Sequence, residues 1–211
     1  MSVFLPFFFG FLSAILGVLP PGIVNMTAAK VSLIDGRKRA MMFVLGALIV
    51  VFFQTFLSVI FAQYIDKHHE VIVMLREIGL VIFVVLTIYF LKFAKHPKIK
   101  NQEEAKIKSK RSRFMIGMII SMINFFPIPY YALITITLAS YKVFSYEPLQ
   151  NLSLILGIVF GSFTVFYFYV VFFNKMKYKA DYFVQNMNKI IGIITGLVAI
   201  LTLFNILKYY Y

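Results

Sequence analysis

The chain has 211 residues, 61% of them hydrophobic and 14% charged, with a mean hydropathy of +0.88 and a formal net charge of +13. Soluble domains carry roughly 25% charged residues, and the apolar runs here are long enough to cross a bilayer as helices, so a basic nucleic-acid-binding domain is excluded as the reading of the charge. Cysteine is absent, which removes a disulfide framework and any thiolate metal site.

The first apolar segment, 3–31, has no Lys or Arg before its apolar stretch and no small-residue cleavage pattern, so it reads as a membrane helix rather than a secretory leader. At about 42 Å of helix it is too long for a core of roughly 30 Å. Within it stands Leu19-Pro20-Pro21-Gly22. Two prolines remove two backbone donors and clash with the preceding turn, so a break is expected, with a second short helix starting near Ile23 and carrying Asn25 and Thr27. Segments 40–64 and 70–93 follow as straight spans. Residues 94–112 form a polar, basic linker expected to lie in the cytoplasm against anionic lipid heads.

Segment 113–140 repeats the interruption, as Asn124-Phe125-Phe126-Pro127-Ile128-Pro129, and segments 149–174 and 184–208 complete the chain. The expected fold is therefore all-α and membrane-embedded, with six spans. The first, third and fifth loops hold 17 of the 21 basic residues, which places those loops in the cytoplasm and both termini outside.

The linker separates similar halves, 1–93 and 113–211. Gly10 to Pro20 matches Gly117 to Pro127, Gly46 matches Gly157, and Gly79 matches Gly196, at offsets of 107, 111 and 117. Three spans per half make the second half enter from the opposite side, an inverted repeat of the kind transporters use. Small residues four apart, as at Ser153, Gly157 and Gly161, read as close helix packing, and Tyr residues near segment ends read as interfacial anchors.

Broken helices at matched places point to a midplane binding site, with freed N–H groups and the helix dipole facing a solute anion. The candidate substrate-binding residues are Pro20, Pro21, Gly22, Asn25, Asn124, Pro127, Pro129, Tyr130, Tyr131 and Gln54; Ser58, Thr135, Thr137, Ser162 and Thr164 are further polar positions in the spans. Glu77 and Asp35 are the acidic residues near enough to the spans to carry a coupling proton. No P-loop, nucleophile elbow or dinucleotide fingerprint is present, and His68, His69 and His96 pair with no spaced acid, so neither an enzyme, a metal site nor a cofactor is expected.

The stretch LPPGIVNMTAAKVSLIDGRKRAMMFVLGALIVV, with Pro21, Gly22, Gly36, Arg37 and Gly46, together with Phe114, Gly117 and Asn124, resembles the lysine-exporter (LysE) superfamily. It looks closest to the homoserine/threonine-resistance (RhtB-like) branch. Ile23 stands where that family has the second proline of its first motif, and Phe125 where it has the proline after the asparagine. The resemblance implies proton-driven export of amino acids or similar small zwitterions across the cytoplasmic membrane of a bacterium. The expected partners are that small-molecule substrate and membrane lipids, with a second copy of the chain left open and no nucleic acid. A cation exporter of the same superfamily and a non-transporting membrane scaffold are the alternatives.

Overall fold

A computed structural model describes residues 3–20, 22–68 and 109–172 continuously, with individual positions between 77 and 93 and between 189 and 207. The described residues divide into two units: residues 1–64 with 102–176, and residues 65–101 with 177–211. The linker segment 94–108, the proline at 21, and about half of the third and sixth expected spans lie outside the described residues.

In the first unit, α1 (Phe4–Val18) ends at the proline pair, and α2 (Ile23–Asp35) leaves it at 74°. The second helix runs four residues past the expected end at 31, because no breaker intervenes before Gly36. Gly36 then turns the chain with φ of 86°, a left-handed conformation that costs other L-residues free energy. It also caps α3 (Arg37–Lys67), accepting the N–H groups of Arg39 and Ala40 on its carbonyl. Helix α4 (Lys110–Ile123) starts at Ser109, whose hydroxyl accepts the Ser112 N–H, and α5 (Pro127–Ser140) departs from it at 64°. Helix α6 (Pro148–Phe172) closes the unit.

Helices α3 and α6 are each long and apolar enough to span a membrane, and each bent pair is long enough when taken as one span. Among the described residues this gives up to four spans.

Glycines decide which helices touch. Gly10 of α1 lies against the Leu154 carbonyl of α6, and Gly157 and Gly161 of α6 lie against the Phe7 and Phe11 carbonyls of α1. Gly46 of α3 lies against the Phe114 carbonyl of α4, and Gly117 of α4 against the Phe43 carbonyl of α3. At each place a Cβ would collide with backbone, which cannot give way as a side-chain tip can. Every one of these contacts joins the first half of the chain to the second. The apolar core follows the same pattern: Val24, Ala28 and Val31 of α2 and Phe43, Val44 and Ala47 of α3 pack with Phe166 and Val170 of α6, while Ala14, Val51, Tyr131 and Ile158 bring α1, α3, α5 and α6 together.

In the second unit, a π-helical turn covers Tyr89–Phe93, and Gly192 and Gly196 admit the side chains of Leu91 and Thr87.

Candidate functional site

A helix interrupted inside a membrane must find partners for the carbonyls and N–H groups it frees, because lipid offers none. Both breaks meet this demand with side chains. At the first, Asn25 folds back from α2, 2% exposed. Its Nδ2 donates to the carbonyls of Val18 at 2.7 Å and Pro20 at 2.9 Å, and its Oδ1 accepts the Gly22 N–H at 2.6 Å. A further carbonyl at the bend, Leu19, accepts the Tyr169 hydroxyl of α6 at 2.8 Å. Asn25 is therefore the internal staple of the bend, with its amide committed to the backbone rather than held free for a solute as its polarity suggested. Pro20 and Gly22 are exposed at the bend, and Pro21 lies outside the described residues. Beyond them the N–H groups of Ile23, Val24 and Asn25 occupy the first turn of α2, where an α-helix has no internal acceptor to offer.

The second break is built differently. Its staple comes from another helix: Gln54 of α3 donates through Nε2 to the Ser121 carbonyl at 3.1 Å and the Asn124 carbonyl at 2.8 Å. The N–H of Asn124 also turns back to Ser121 at 3.2 Å. On the far side of the bend Pro127 and Pro129 carry no N–H. The two N–H groups between and after them, of Ile128 and Tyr130, are taken by the carbonyls of Phe125 and Phe126. The first four residues of α5 thus offer no free N–H, unlike the start of α2. Phe125, Phe126 and Pro129 are exposed, Asn124 and Pro127 half-buried.

Tyr130 ties the two bent pairs together. Its ring stacks on Phe126 with centroids 5.8 Å apart, sits edge-on to Tyr131 at 5.1 Å, and rests on Gly17, where a Cβ would come within 2.6 Å of it. Its hydroxyl donates to the Ser13 carbonyl of α1 at 2.9 Å. Tyr131 is 2% exposed and lies against Ser162 of α6. Ser58 and Thr135 are buried with their hydroxyls bonded back onto their own helices, whereas Thr137 and Thr164 bond back from exposed faces.

The two acidic candidates part company. Asp35 ends α2 with its side chain fully buried, and one carboxylate oxygen is ion-paired with Arg113 at the start of α4; Arg39 adds a bond from Nη1 to the Asp35 carbonyl at 3.0 Å. Glu77 is an exposed helical residue of the second unit. Tyr169 and Arg113 escaped sequence reasoning as site partners. The first looked like one more apolar-run tyrosine, the second like one more basic loop residue. The matched glycines of segments two and five held the usable signal, since they imply that α6 serves the first break as α3 serves the second.

Apolar helices long enough to span a bilayer, two of them bent pairs, define a multi-pass membrane protein. A model of the LysE type translocator family matches residues 15–205, and the chain belongs to that family. LysE type translocators are transporters rather than enzymes, which sets a small-molecule substrate and a lipid environment. Comparison with curated proteins and with solved structures gives no match.

Proposed function

We propose that the chain is a secondary exporter of amino acids or similar small zwitterions. It works as two inverted three-helix repeats in a bacterial cytoplasmic membrane, with both termini outside, and draws on the proton gradient. The observation that carries this reading is the pairing of the breaks: two bent helices, one in each half of the chain, joined through Tyr130 and each held open by side chains whose bonds replace the lost helical ones. Supporting the inverted repeat, the contact of Gly10 with Leu154 becomes that of Gly117 with Phe43 when the halves are exchanged, and Gly46 with Phe114 becomes Gly157 with Phe7.

On this reading the solute carboxylate docks on the N–H groups of Ile23 and Val24, at the positive end of α2. The repeats rock about the site so that it opens to each side in turn. Asp35 serves as the proton carrier, because its carboxylate is buried where the two halves meet and is paired with a cation, Arg113, that must let go when the halves separate. The distribution of basic loops supports the orientation.

The test is counterflow in liposomes: purified protein, vesicles preloaded with each common L-amino acid in turn or with nucleosides, and uptake of the labelled counterpart. Saturable exchange of at least one amino acid is expected. Exchange of none, with the protein folded and correctly inserted, refutes the reading.

A further inference from the structure

We infer that the second break is a subsite for an ammonium group, with the side-chain oxygen of Gln54 as its fixed acceptor; this rests on the zwitterion reading above.

Gln54 is 7% exposed, and its amide nitrogen is held by two backbone carbonyls, Ser121 and Asn124. Turning the amide over would set its oxygen against those two oxygens, so the orientation is locked. Oε1 must then face away from them, and it is buried with no hydrogen-bond partner. A buried acceptor left unpaired is costly, more so where lipid surrounds the protein, and calls for a donor. The chain provides none nearby in the α5 start: Pro127 and Pro129 have no N–H, and the Ile128 and Tyr130 N–H groups are already taken. The negative end of α4 terminates at the same place, which favours a cation.

The first break is its chemical opposite. There the exposed bend leads into a helix start with N–H groups to spare, and the carbonyls of Val18, Leu19 and Pro20 are consumed by Asn25 and Tyr169. Donors face the solute at one break and an acceptor at the other. Tyr130 joins the start of α5 to α1 through its contacts with Gly17 and Ser13. A solute carrying both a carboxylate and a primary ammonium satisfies the pair. One with a hydroxyl in place of the ammonium loses the charge, and a trimethylated ammonium keeps the charge but has no N–H to give.

The experiment uses the full chain in liposomes and the counterflow described above. For each L-amino acid exchanged, the matched 2-hydroxy acid and the N,N,N-trimethyl analogue are offered as competitors. Wild-type protein should prefer the amino acid to both by about tenfold or more, the discrimination expected of a hydrogen bond to a charged group. Gln54→Met, close in shape but without the acceptor oxygen or the Nε2 donor, should bring both ratios near unity. Preserved ratios in Gln54→Met overturn the subsite while leaving the exporter reading intact; failure of wild-type protein to exchange any amino acid removes both. If Gln54→Met does not fold, the wild-type competitions decide alone, and equal acceptance of the trimethyl analogue overturns the subsite.

Discussion

At the scale of single residues, the breaks are specified by prolines but maintained by amides and phenols. Asn25→Ala removes three hydrogen bonds at once and leaves the Gly22 N–H and the Val18 and Pro20 carbonyls without their partner, a loss on the order of 3 kcal/mol. Asn25→Asp keeps the acceptor for Gly22 but puts a carboxylate against the Val18 and Pro20 carbonyls, so it should be no better than alanine. Thermal unfolding in detergent checks both; an Asp variant as stable as wild type would mean that the Nδ2 bonds matter little. Tyr130→Phe should cost about 1 kcal/mol through the Ser13 bond alone. Gly17→Ala should cost more, since the added methyl lies within 2.6 Å of the Tyr130 ring. The reverse order of the two unfolding midpoints would remove Tyr130 from its role as the link. Pro20, Gly22, Asn25 and Asn124 were legible in the sequence because proline chemistry and a lone polar residue in an apolar run are local signals. The commitment of Asn25 to its own backbone was not, because it depends on a bend that brings residues seven apart in sequence within bonding distance.

At the scale of helices, recognition is between backbones. Leucine at Gly10, Gly46, Gly117 or Gly157 should destabilise by at least about 1–3 kcal/mol, since the obstructing atom in each case is a carbonyl oxygen of the facing helix. Measured as unfolding midpoints, the four should be alike, and a tolerated leucine at one of them would break the equivalence of the α1–α6 and α4–α3 contacts. The small-residue spacing announced close packing, but only the structure says which helix answers which. The ion pair between Asp35 and Arg113 likewise joins the end of α2 to the start of α4. Breaking a buried pair strands one charge, so Asp35→Asn and Arg113→Met should each cost about 3–5 kcal/mol, and combining them should cost less than their sum. A double variant as damaged as the two losses added would mean that the residues act separately. Read as a loop aspartate, Asp35 gave no hint of this, because α2 continues to it and carries it under α4.

At the scale of the molecule, the all-α membrane architecture and the two broken helices could be read from composition, run length and proline placement, all of which are properties of the chain taken segment by segment. The chemical difference between the breaks could not, since it is set by helices remote in sequence: α6 supplies Tyr169 to one and α3 supplies Gln54 to the other. On the exporter reading proposed above, both breaks hold one solute. The chain contains no cysteine, so single cysteines can be placed at will. Gly22→Cys and Asn124→Cys put a thiol at each bend, on an exposed and a half-buried position. The direct measurement is the rate at which a maleimide alkylates each thiol in liposomes, with and without the amino acid that counterflow identifies as exchanged. Slowing at both positions by the same concentration of amino acid is the predicted result; protection at only one of them, or at neither, contradicts a site shared between the two bends.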